Sequence, residues 1–141
     1  MRRQVLILFF VLANVYCHAQ NNNDPWITYR IDNGIKNLTT NQVEFDEPDF
    51  NTRAYIFVSN DKIKIKDGLN TKVYFISRTL TGNNDDNTLE SAWWCYNQAG
   101  DDCEIEVKFN KITGTITLKV ACLDPSRISI YWVKPASKFD Q

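Results

Sequence analysis

Apolar and polar residues alternate strictly through much of the chain beyond residue 60. Ile63 and Ile65 alternate with Lys62, Lys64 and Lys66. Cys103, Ile105, Val107 and Phe109 alternate with Glu104, Glu106 and Lys108, and Ile116, Leu118, Val120 and Cys122 resume the same period after a turn. Successive side chains of a strand point to opposite faces, so a period of two marks one buried and one wet face. Further strands are predicted near 27–31, 54–59, 73–80, 92–96 and 128–133, where β-branched and aromatic residues dominate. The stretch from Lys36 to Phe50 is less regular. Glu47-Pro48-Asp49 reads there as loop, with room for a short helix.

The links after residue 54 are mostly short and carry turn chemistry: Asn60-Asp61, Asp67-Gly68-Leu69-Asn70, the run from Asn97 to Asp102, the run from Asn110 to Gly114, and Asp124-Pro125-Ser126. Short links in series join antiparallel neighbours. The expected fold is therefore all-β, an antiparallel meander of about seven or eight strands that forms a small barrel or a two-layer sandwich. An edge such as Lys62–Lys66, guarded by alternating lysines, argues against strand-to-strand association there.

Register sharpens this picture. If the turn at Asn110–Gly114 pairs Phe109 with Ile116, Cys103 lies opposite Cys122. If the turn at Asn97–Asp102 pairs Cys95 with Cys103, Trp93 faces Ile105 and the three cysteines sit side by side on the inner face. Cys103 is central and can bond to only one neighbour. A Cys95–Cys103 disulfide, closing a short turn and leaving Cys122 as a buried thiol, is the favoured expectation. Cys103–Cys122 and three reduced thiols are the alternatives.

Composition changes the picture at the N-terminus. Arg2 and Arg3, the apolar run Val5 to Ala13 and the Cys17-His18-Ala19 box predict a secretory signal peptide over 1–19. Its apolar run is too short to span a bilayer. Its removal leaves one β-domain, 20–141, and takes Lys+Arg from 16 to 14 against 17 Asp+Glu, a net charge of −3. That balance gives no reason to expect nucleic-acid binding. The expected location is the periplasm or the exterior. The Asn, Lys and Ile-rich composition resembles that of exported proteins of Gram-negative bacteria. An oxidising compartment makes a disulfide natural.

The chain has a single histidine, His18, inside the predicted leader. The mature domain would then hold no Ser-His-Asp triad, no Cys-His pair and no histidine-based zinc site. Paired carboxylates are the remaining hydrolytic route, with Asp85, Asp86, Glu90, Asp101 and Asp102 as candidates, all in turns or at strand ends where acids are usually solvated. Asp85 and Asp86, within Asn83-Asn84-Asp85-Asp86-Asn87, are weak candidates for a calcium loop. The glycine and distal glutamate of an EF-hand are misplaced there, so neither a metal nor another cofactor is expected.

Aromatic residues are the strongest surface signal. Trp93 and Trp94 are adjacent, so a strand sends them to opposite faces. With Trp93 inward beside Cys95, Trp94 and Tyr96 face outward together. Trp94, Tyr96 and Tyr131 are the candidate ligand-binding residues, able to stack on a sugar or to centre a protein interface. The sequence therefore points to an exported, non-catalytic and monomeric β-domain. It would bind a glycan, a small apolar molecule or an envelope protein. The second reading is an inhibitor or accessory subunit presenting a disulfide-closed Asn97–Asp102 loop, and the third a carboxylate-dependent hydrolase.

Overall fold

The computed structural model describes residues 24–123 and 126–138. The leader expected over 1–19 lies outside the described residues. Nine strands follow in order: β1 (Trp26–Lys36), β2 (Val43–Phe45), β3 (Ala54–Val58), β4 (Lys62–Asp67), β5 (Asn70–Asn84), β6 (Thr88–Asn97), β7 (Asp102–Asn110), β8 (Ile116–Cys122) and β9 (Arg127–Pro135), before a 3₁₀ turn at Ala136–Lys138. Every pairing is antiparallel, and β3 to β9 neighbour one another in chain order. β9 then returns to β1 over a register from Trp26↔Pro135 to Ile35↔Arg127. The sheet thus closes on itself as an eight-stranded barrel, with β2 as an added outer strand. Closure removes the free edges that an open sheet would expose.

The first-to-third-strand seam is the thinnest part of the wall. β3 pairs with β1 only at Trp26↔Ile56 and Ile27↔Tyr55, while the far end of β1, Gly34 to Lys36, pairs with β2. Two devices bridge the gap between them. Ile31 and Asp49 exchange backbone hydrogen bonds of 2.8 and 2.9 Å. Thr28 is fully buried, and its hydroxyl accepts from the Ala54 N–H at 2.8 Å and donates to the Thr52 carbonyl at 3.2 Å. A side chain here stands in for a rung of the ladder. The irregular stretch after Lys36 is not a helix. β1 runs through Lys36, and β2 lies so close over Gly34 that a Cβ there would come within 2.8 Å of the Phe45 ring.

The register predicted for the cysteines is present: Phe109↔Ile116, Cys103↔Cys122, Cys95↔Cys103 and Trp93↔Ile105. The disulfide itself differs from the favoured expectation. Cys103 bonds to Cys122, and Cys95 is the buried free thiol. The bond therefore ties β7 to β8 instead of closing the β6–β7 turn. β4 also corrects an expectation, since β3 and β5 flank it and its lysines guard no open edge.

One end of the barrel is filled. Trp26, Ile56, Ile63, Ile105, Val107, Leu118 and Val133 are all at most 3% exposed and belong to one cluster that fills the barrel from this end up to Tyr74 and Tyr131. Both described chain ends meet at this end. The Ala136 N–H donates to the Pro25 carbonyl at 2.8 Å, and the Ser137 N–H and hydroxyl donate to the Asp24 carboxylate at 2.9 and 2.7 Å.

Candidate functional site

The opposite end is open. On β1, β4 and β6 the inward phase turns polar toward that end, Ile31 being followed by Asn33, Ile65 by Asp67 and Cys95 by Asn97, while Cys103 and Cys122 keep it apolar on β7 and β8. On strands running the other way, Lys72 precedes inward Tyr74 on β5, and Arg127 and Ser129 precede inward Tyr131 on β9. Because alternation fixes which face a residue takes, these polar groups converge on one mouth.

Two adjacent recesses result. The larger, about 450 Å³, reaches from Asn33, Lys72 and Tyr74 to Asn97, Arg127 and Ser129. The smaller, about 190 Å³, lies beside the seam and is lined by Asp49, Asp67 and Tyr131 together with Asn33 and Lys72, which both recesses share. The larger volume is within the range that holds a small molecule. The Ser129 hydroxyl donates to Asn33 Oδ1 at 2.8 Å. Asn97 organises the β6–β7 turn: its Oδ1 accepts from the Ala99 and Asp101 N–H groups at 3.0 and 2.9 Å, and its Nδ2 donates to Asp101 Oδ2 at 3.3 Å. Among the described residues, Lys72 and Arg127 enter no salt bridge.

The floor is phenolic. Burial holds the Tyr74 hydroxyl well above its ordinary pKa, with Tyr131 and Cys95 adding to the effect. Burial likewise raises Tyr131, partly offset by a hydrogen bond with Ser129. Both phenols stay neutral across the physiological range and offer hydrogen bonds without charge. Burial also pushes the Cys95 thiol beneath them up to about 11, so it is a poor nucleophile at neutral pH.

The three aromatic residues singled out from sequence do not form one site. Tyr131 is inward, 5% exposed, and lines the smaller recess. Trp94 and Tyr96 lie on the outer wall, Trp94 half-buried between Arg78 and Glu104, and Tyr96 exposed and stacked on Phe75 at 5.2 Å between ring centroids. The candidate carboxylates are likewise dispersed. Asp85 caps the β5–β6 turn, its Oδ1 accepting from the Asn87 and Thr88 N–H groups at 2.8 and 2.7 Å, and these bonds hold its pKa low. Glu90 pairs with Lys108 at 3.1 Å. Asp101 reaches the mouth, whereas Asp102 lies beside Tyr96 on the outside. Among the described residues no three cysteine or acidic side chains gather as a metal site.

Sequence reasoning missed Asn33, Lys72, Asn97, Arg127 and Ser129. The signal was present: each is a polar residue in the inward phase of its strand, and each lies toward the same end of the meander. No protein family matches the chain, and neither the curated proteins nor the solved structures give a significant match.

Proposed function

We propose that this chain is an exported, non-catalytic barrel that takes a small hydroxyl-rich or zwitterionic molecule into its open end. The observation that carries this reading is the recess of about 450 Å³ lined by Asn33, Asn97, Ser129, Lys72 and Arg127 above a phenolic floor. Amides, hydroxyls and charges of both signs around one concavity suit a ligand with many hydrogen-bonding groups better than an apolar one. A Cys103–Cys122 disulfide accords with an oxidising compartment. Among the described residues no helix is long and apolar enough to cross a membrane. The inhibitor reading loses the disulfide expected to close the Asn97–Asp102 loop, because Cys103 bonds to Cys122.

The test is an amide-shift titration of ¹⁵N-labelled protein with neutral mono- and disaccharides, free amino acids and a short fatty acid. No tryptophan lines the mouth, so indole fluorescence is a weaker reporter there. Saturable shifts at Asn33, Asn97 and Ser129, with Val107 silent, support the mouth as the site, and a Lys72→Ala/Arg127→Ala variant weakens them. Shifts confined to Trp94 and Tyr96, or a fatty-acid response alone, would overturn it.

A further inference from the structure

We propose that the outer wall formed by β3, β4, β5 and the end of β6 binds an acidic polysaccharide along a lysine ridge flanked by aromatic rings. On β4 the inward Ile63 and Ile65 are buried, so Lys62, Lys64 and Lys66 all point outward. They span roughly 13 Å at the usual strand rise. The register sets their neighbours: Phe57 and Val73 flank Lys64, Tyr55 and Thr71 flank Lys66, and Lys62 leads across to Phe75 and Tyr96. Tyr55, Phe57 and Tyr96 are 42%, 40% and 44% exposed, in contrast to the buried aromatics of the core.

The rest of the outer wall is arranged differently. Glu90 pairs with Lys108, Glu106 with Lys119 and Arg30 with Asp32, while the Arg30 guanidinium lies over the Trp132 and Phe50 rings at 4.9 and 5.7 Å. Cations and rings there satisfy one another. The β4 ridge has no such partners: among the described residues none of its three lysines enters a salt bridge. It is a concentrated positive strip on a chain of net charge −1. Charge complementarity calls for a polyanion. Half-exposed rings beside the charges add faces on which pyranose rings stack.

A bilayer fits less well. Of the most exposed apolar side chains, Ile112 sits alone in the β7–β8 turn at the far end, whereas Leu38, Leu69 and Leu123 sit in turns around the mouth, on the side of Asp46, Asp67 and Asp101. Insertion of those mouth turns would bring acids to an anionic surface and leave the lysine ridge on the side of the barrel.

The experiment is calorimetric titration with polygalacturonate, against neutral dextran and phosphatidylglycerol vesicles, at low and high salt. We expect polygalacturonate to bind and dextran not to. A K62Q/K64Q/K66Q variant should lose about tenfold or more in affinity, while the corresponding triple Lys→Arg variant keeps it. A Phe57→Ala/Tyr96→Ala variant should lose about fivefold with the salt dependence unchanged. Circular dichroism confirms that each variant is folded. Absence of polygalacturonate binding, equal affinity in the Gln variant, equal binding of dextran, or vesicle binding as tight as that of the polymer would each overturn the assignment. None of these results bears on the mouth, whose titration uses small molecules and is read from amide shifts at Asn33, Asn97 and Ser129.

Discussion

The two ends of the barrel use the same strands and the same inward phase for opposite purposes. At the filled end that phase carries Trp26, Ile56, Ile105, Leu118 and Val133, and water is excluded. At the open end it carries Asn33, Lys72, Asn97, Arg127 and Ser129, and a recess remains. Burying apolar surface supplies the driving force for folding, whereas unpaired polar groups are costly unless solvated or bound. The division lets one end stabilise the barrel while the other keeps the charges of Lys72 and Arg127 at its mouth for a ligand. Stability and binding should therefore separate cleanly in variants.

The largest effect is expected at the filled end. Ile105 is fully buried, so Ile105→Ala should cost about 2–5 kcal/mol, seen as a lower urea midpoint, with ligand-induced shifts at the mouth unchanged in the surviving folded protein. An equal loss of mouth shifts at saturating ligand would join the two ends again.

Next comes the layer between them. The buried Cys95 thiol is raised to about 11 from an ordinary value of 9.0. The folded state therefore holds a proton that the unfolded state releases. That contribution is complete below pH 9 and is lost as pH rises toward 11. Melting temperature should fall across this window, and a Cys95→Ala variant should show a shallower fall. Below pH 9 native Cys95 should resist alkylation.

The seam is a smaller target. Thr28→Val keeps the shape but leaves the Ala54 N–H and the Thr52 carbonyl without their partner, at a cost of about 1–3 kcal/mol. Hydrogen exchange at Ala54 should accelerate more than at Ile105. Uniform acceleration would show that the seam opens only with the whole barrel.

The smallest stability change belongs to the mouth. Lys72→Ala and Arg127→Ala should each shift stability by no more than about 0.5 kcal/mol, because both side chains are exposed. Their effect should be on ligand affinity alone.

Much of this division was legible in the alternation of residues, and the reasons it was not fully legible are physical. Period two located the main strands and placed Cys95, Cys103 and Cys122 in one inward row. It could not decide which pair bonds, because Cys103 has a sulfur on each side and the choice depends on how the strands curve. Barrel closure rests on β1 meeting β9, a pairing some hundred residues apart in sequence, and no local pattern reports it. β2 was missed because it is only three residues long and its place depends on the bare face of Gly34. The mouth was readable in principle. Asn33, Asn97 and Ser129 break the inward apolar pattern, but they gain meaning only when the strands are laid side by side.

The meeting of Asp24 and Ser137 at the filled end has a topological consequence. With Asp24 held by Ser137, and β9 already paired to β1, the order of strands around the wall is circular. A short peptide joining residue 138 to residue 24, with new termini in the exposed turn at Thr113–Gly114, would preserve every rung of the ladder. Such a permutant would carry the same mouth on a chain whose sequence starts at β8, its new ends leaving the barrel on the side away from any bound ligand.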